Sequence, residues 1–189
     1  TLTEAQSLYE QCVGQNSRLK SGEEDAGMEF RPDWNEGQLF SDSNWYVVES
    51  PLIPENGEKV CFAISEVMER YSDKAEINTG YVMRQVVMRN KDTGLNYAFI
   101  MLIMPDVDYL ESHQGRIQEN EYLSRSSGLG GYVIFFTTQG KFVNGGVYKE
   151  GEINHRLSES QGGGLKAVIE CSNCWSVINE HYTTHNYYC

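Results

Sequence analysis

Positive charge is in short supply in this sequence: 15 lysines and arginines face 27 aspartates and glutamates, for a formal net charge of −12 at neutral pH. A nucleic-acid duplex or an anionic membrane surface repels such a chain at long range, so nucleic acid is excluded as an expected partner. Long apolar runs are missing as well. The longest, Tyr97 to Met104, ends at Pro105 after eight residues, against the roughly 20 that a bilayer-crossing helix needs. No transmembrane segment is expected. There is no Asn-x-Ser/Thr sequon, which argues against a heavily glycosylated ectodomain. The chain opens at Thr1 with no basic segment leading into an apolar one, so any export signal has been removed or was never there.

What remains is globular material. Apolar residues make up 40% of the chain and charged ones only 22%, which excludes a disordered acidic polymer. The 189 residues suit a single domain, 1–189, able to hide roughly 70% of its unfolded surface. Its parts read as a helix over 1–14, an irregular arm over 15–43, a sheet body over 44–171 and a Cys/His-rich tail over 172–189.

The helix rests on capping-box spacing between Thr3 and Gln6, on Ala5, Leu8, Tyr9 and Cys12 sharing one face, and on Gly14 as a stop. In the arm, Glu23, Glu24 and Asp25 read as a solvated turn, and Phe30 and Trp34 as the pins that hold it to the body. Beyond it, strands are expected over 45–52, 59–64, 81–89 and 95–104, with a short helix over 65–71. Asn90-Lys91-Asp92-Thr93-Gly94 forms a hairpin connection. Tyr97–Met104 shows no alternation, so both of its faces should be covered, one of them by the first helix. Asp106 should cap a short helix reaching Leu110, followed by a loop over 111–130. Gly131–Leu157 then reads as a meander, turning at Gln139-Gly140 and Glu150-Gly151, with a final strand over Leu165–Cys171. The expected fold is α+β: an N-terminal helix packed on a curved, mainly antiparallel β-sheet of about six to eight strands, ending in a β-meander. Phe99, Met101, Ile103, Val133, Phe135 and Leu8 are the expected core.

Catalytic motifs are also lacking. The glycines at 128, 130 and 131 and at 162–164 have neither the Lys-Ser/Thr nor the helix start that a phosphate cradle requires. Ser124, Ser126 and Ser127 sit in no nucleophile elbow, although His113 and His155 are present. Asp106-x-Asp108 lacks the glycine and distal glutamate of a calcium loop. No catalytic residue is assigned, and the reading leans away from an enzyme.

The tail concentrates soft ligands: Cys171, Cys174, His181, His185 and Cys189 follow a C-x2-C-x6-H-x3-H-x3-C pattern. Zinc takes four such groups tetrahedrally, with Cys171, Cys174, His181 and His185 as the candidate set. The six-residue spacer is shorter than the roughly twelve of a zinc finger, and no apolar helix carries the histidines. A redox CxxC would open a helix after a strand, a setting that Trp175-Ser176-Val177-Ile178 does not supply. No metal or cofactor is therefore committed. Among the aromatics, Trp34, Trp45 and Trp175 are the candidate ligand-binding residues, because flat amphipathic rings bury area at little entropic cost against a sugar or peptide.

Four strings, taken as a set, bear a likeness to known proteins: Leu2-Thr3-Glu4-Ala5-Gln6; Asn44-Trp45-Tyr46-Val47-Val48-Glu49-Ser50-Pro51-Leu52; Tyr122-Leu123-Ser124-Arg125; and Gly140 to Tyr148 with Gly151. Over roughly Leu2 to Gly151 the chain resembles exported proteins and lipoproteins of unknown function from Bacteroidetes. That resemblance implies a mature envelope or secreted protein and supplies no catalytic residues. Export brings oxidants, so a disulfide is expected over zinc, linking Cys189 to Cys171 or Cys174, with Cys12 and Cys61 as a second pair. The function expected is an exported, non-enzymatic binding or structural module whose partner is a glycan, peptide or protein. A hydrolase using a Ser/His pair or a metal in the tail is the alternative.

Overall fold

The structure, a computed structural model, describes residues 1–16, 29–55, 62–71, 80–113, 116–157, 175–176 and 187–188, of which 12–16, 68, 175–176 and 187–188 are described by backbone alone. Its elements in chain order are α1 (Leu2–Asn16), β1 (Phe30–Pro32), β2 (Gln38–Ser41), β3 (Trp45–Pro54), α2 (Ser65–Tyr71), β4 (Val82–Asn90), β5 (Asn96–Pro105), α3 (Val107–His113), β6 (Gly131–Phe136), β7 (Phe142–Lys149), β8 (Glu152–Leu157), β9 (Trp175–Ser176) and β10 (Tyr187–Tyr188). The eight strands β1 to β8 make one antiparallel sheet, in which β3, β4, β5, β6, β7 and β8 neighbour one another in chain order and β1 and β2 both pair with β3. With a short N-terminal helix and few others, this is the α+β fold that the sequence predicts.

β5 occupies the middle and is apolar along most of its length. Met101, Leu102, Ile103 and Met104 are all buried, on alternate faces. On one face Ala98 joins Ala5, Val48 and Val87 beneath α1, while Ile100, Leu102 and Met104 meet Phe62, Ala63, Ile64 and Val67 of the α2 region. On the other, Met101 and Ile103 pack with Val47, Val82, Val86 and Val133 under Ile117 and Leu129. A strand so apolar on both sides gains little register information from its own pattern. The register comes from the turn: the Asn90 side-chain oxygen accepts from the N–H of Asp92 and Thr93, and Gly94 takes the left-handed φ of 70° that closes the hairpin. It also comes from Gln85, buried on the α-helical face, whose Nε2 donates to the Phe99 carbonyl across the strands at 2.9 Å.

Several boundaries differ from the sequence reading. The helix starts at Leu2 and runs through Gly14 to Asn16, and its cap is Thr1, whose hydroxyl accepts from the Glu4 N–H, rather than Thr3. The arm is not irregular over its second half: β1 and β2 form there, broken by a 3-10 turn at Trp34–Glu36. One exposed edge of β3 was available to pair them, an influence that short polar segments do not advertise. Residues 59–61 lie outside the described set, and Phe62, Ala63 and Ile64 form no strand. They are buried as a wedge between sheet and α2 instead. Of the expected core, Met101, Ile103 and Val133 are fully buried, whereas Leu8, Phe99 and Phe135 are half-buried at its margins. The expected strand over 165–171 lies outside the described residues.

Candidate functional site

The face of the sheet opposite α1 is covered by the long β5–β6 connection, and a polar core holds that cover down. Asp106 caps α3 by accepting from the Tyr109 N–H at 2.8 Å. A 3-10 turn at Arg116–Glu119 follows and buries Ile117. Asn120, wholly buried, donates to the Tyr109 hydroxyl and the Ile117 carbonyl and accepts from the Ser126 N–H at 2.9 Å. From the sheet, Arg84 donates to the Gln118 carbonyl and, at 2.7 Å, to Glu49. The second Glu49 oxygen accepts from the Tyr122 N–H at 2.6 Å. Two charges removed from water thus satisfy each other and the backbone of the loop.

This clamp sets Tyr122 onto an aromatic floor. Its ring lies 5.2 Å from Phe99 and 6.0 Å from Phe135, and those two lie 5.8 Å apart, in tilted and edge-to-face arrangements. Along the same face, toward the hairpin tips, Trp45 meets Tyr97 edge-on at 5.7 Å. Asp42 fixes the start of that strand by accepting from the N–H groups of Asn44 and Trp45, each at 2.7 Å. Tyr97 keeps 45% of its surface open to water. At the β7 end, the Arg125 guanidinium sits over the Tyr148 ring at 5.6 Å. Arg125 Nε is the one buried side-chain polar atom among the described residues that has no hydrogen-bond partner. The Tyr122 hydroxyl has its pKa raised, chiefly by burial, with Arg125 opposing and Asp42 reinforcing the shift. Glu121 beside it is also raised, by burial first and by the Glu49 carboxylate second.

The residues singled out from sequence are dispersed. Trp34 spends its ring on α1, edge-on to Tyr9 at 5.7 Å and among Leu2, Ala5 and Leu8. Trp45 belongs to the aromatic face. Trp175 begins β9, paired with Tyr188, but its side chain is not described. Cys61, Cys171, Cys174, Cys189, His181 and His185 lie outside the described residues, and of Cys12 only the backbone within α1 is described, so the disulfide and zinc expectations have no geometry here. Among the described residues, no group of three His, Cys, Asp or Glu side chains is placed to hold a metal, and no helix is long and apolar enough to cross a membrane.

Among the described residues one Ser/His contact is found, Ser112 Oγ to His113 Nδ1 at 2.8 Å. The serine hydroxyl has a single proton, and its 2.6 Å contact with the Asp108 carbonyl, which can only accept, claims it. His113 therefore donates to the serine rather than serving as its base, with its ring stacked on Tyr109 at 4.2 Å. This is a helix-end hydrogen bond, not an activated nucleophile.

Sequence reading missed that Tyr97, Tyr122 and Tyr148 share one face of the sheet and that Arg125 sits over Tyr148. The available signal was parity: Tyr97 and Phe99 point to the same side of β5, opposite the side that α1 covers. The loop residues carried no periodic signal at all. No protein-family model matches the chain, and no curated protein or solved structure matches it.

Proposed function

We propose that this chain is an exported, non-enzymatic binding module whose ligand, a glycan or a peptide, docks on the aromatic face between the hairpin tips and the β5–β6 loop. The observation that carries this reading is Tyr97. It leaves 45% of a large aromatic surface in water while its ring edge is fixed by Trp45. A rigid, half-open ring of this kind contributes contact area with little conformational entropy left to lose. The buried Glu49–Arg84 clamp supports the same reading, because it immobilises Tyr122 beside the floor without spending exposed groups. Export is proposed from the resemblance and the cysteine usage.

The test is a combined glycan and peptide array probed with the wild-type chain and with Tyr97→Ala. The expected result is a defined set of ligands whose signal falls at least tenfold in the variant. Retention of the full signal in Tyr97→Ala would move the site elsewhere. Turnover of a ligand, lost on substitution of one serine or histidine, would replace the module with the hydrolase alternative.

A further inference from the structure

Six large apolar side chains stand exposed among the described residues, and four of them, Leu39, Tyr46, Leu95 and Tyr97, belong to the neighbouring β2–β3 and β4–β5 hairpin tips. Such side chains are ordinary when scattered singly; gathered on one spur they mark a contact surface. The two tips are joined. The Lys91 N–H donates to the Asn44 carbonyl at 2.8 Å, and Lys91 Nζ donates to the Ser41 hydroxyl at 2.8 Å and to the Asp42 carbonyl while lying 4.5 Å from the Tyr46 ring centre. Their backbone donors are also satisfied internally. Every N–H from Asn90 to Leu95 finds an acceptor within the tips, on Asn90, Thr93, Asn44 or Leu95, and the Asp42 carboxylate takes those of Asn44 and Trp45. A spur whose donors are already paired has little backbone hydration to give up when it leaves water.

We propose that this spur enters the headgroup layer of a zwitterionic lipid bilayer as a peripheral contact. Its apolar groups lie on both sides of the sheet. Leu39, in register with Val48, and Tyr46 stand on the α1 side, Tyr97 stands on the opposite side with Phe99, and Leu95 ends the turn between them. A flat protein patch reaches one side of such a spur, whereas a lipid layer closes around all of it. The depth agrees: Leu39 lies level with Ala98, three residues of strand below Leu95, or about 10 Å, against the roughly 5–10 Å that interfacial helices reach. Tyrosines suit that layer, being apolar in the ring and polar at the tip. Charge selects the lipid. The chain carries −12, so an anionic surface repels it, but residues 38–46 and 88–97 hold Arg89 and Lys91 against Asp42 and Asp92. Equal numbers of both signs match a headgroup that carries both.

The experiment is co-sedimentation of the full chain with phosphatidylcholine vesicles and with vesicles enriched in phosphatidylglycerol. The wild type should sediment with the first and more weakly with the second, a comparison that requires no variant to fold. Binding should fall at least tenfold in Leu39→Ser/Leu95→Ser and stay unchanged in Ile153→Ser, which alters an equally exposed side chain on β8. Both leucines are exposed, so the double variant should keep the wild-type thermal melt. No sedimentation with phosphatidylcholine, binding that survives the double substitution, or binding that requires phosphatidylglycerol would each overturn the proposal. Self-association in lipid-free buffer that is lost in the double variant, without vesicle binding, would overturn it in favour of a second copy of the chain on the spur. The proposal does not rest on the binding reading above. Leu39 and Leu95 lie outside the aromatic face, so the array result for Tyr97→Ala stands or falls separately.

Discussion

Arg84 and Glu49 meet at 2.7 Å across the covered face of the sheet, their side chains 8% and 1% exposed, and each divides its remaining capacity with the backbone of the β5–β6 loop. The pair thus couples the middle of the sheet to the segment that carries Tyr122 and Arg125. Desolvation cancels much of what such a pair gains, so its contribution lies in specifying one position for the loop.

Removing one partner strands the other in a dry site. Arg84→Met or Glu49→Leu alone is expected to lower stability by about 3–5 kcal/mol. The double variant Glu49→Leu/Arg84→Met should recover much of that loss while leaving the loop less protected. Urea denaturation gives the first quantity, and amide hydrogen exchange over residues 117–126 gives the second. Additive losses in the double variant would contradict the account.

Asn120 is the second anchor, with three hydrogen bonds inside the same loop. Asn120→Ala leaves the Tyr109 hydroxyl and the Ser126 N–H without their partner and should cost about 1–3 kcal/mol. Exchange should quicken in the loop before it does in β4 and β5. Uniform quickening across the sheet would show that the loop is not a separate unit of stability.

Two glycines with positive φ should behave oppositely. Gly131 has φ 118°, and a Cβ there would overlap the Met104 carbonyl oxygen at the β5–β6 junction. Gly131→Ala is expected to cost more than about 2 kcal/mol. Gly140, with φ 78°, has nothing within 4 Å of a Cβ, so Gly140→Ala should cost only about 1 kcal/mol. Matched denaturation midpoints for the two variants would refute the distinction.

Glu121 gives a pH dependence with a definite sign. Its folded-state pKa is raised, by burial and then by Glu49, so the folded protein holds its proton more tightly than the unfolded chain does. Stability from this group is present at acid pH and is lost as pH rises through the folded pKa. Glu121→Gln should therefore raise the Tm at pH 7, and the gain should vanish below the ordinary carboxylate range. A Tm gain that is larger at acid pH than at neutral pH would reverse the assignment.

The sheet was legible where local chemistry and pattern agree. The non-alternating run at Tyr97–Met104 signalled a strand covered twice, and Gly94, Gly140 and Gly151 all adopt the positive φ that their turns require. Segments whose structure depends on a distant partner were not legible. Gln38–Ser41 becomes a strand because β3 offers an edge, and Phe62–Ile64 becomes a wedge because a groove between α2 and the sheet must be filled. Of the aromatic face, Trp45 was singled out from its residue type alone. Arg125 was not singled out, since its lack of an ion pair among the described residues is a property of the folded loop. The tail's cysteines and histidines carry the strongest motif in the sequence and lie outside the described residues.

The central claim, that ligand docks on the aromatic face held by the Glu49–Arg84 clamp, is tested most directly by amide chemical-shift mapping of the isotopically labelled chain with an array-positive ligand. The account predicts that the largest shifts fall on Trp45, on Tyr97 to Phe99 and on Tyr122 to Arg125, and that they disappear in Tyr97→Ala. Shifts confined to α1 or to the β7–β8 hairpin tip, with Tyr97 and Tyr122 unmoved at saturation, would contradict it.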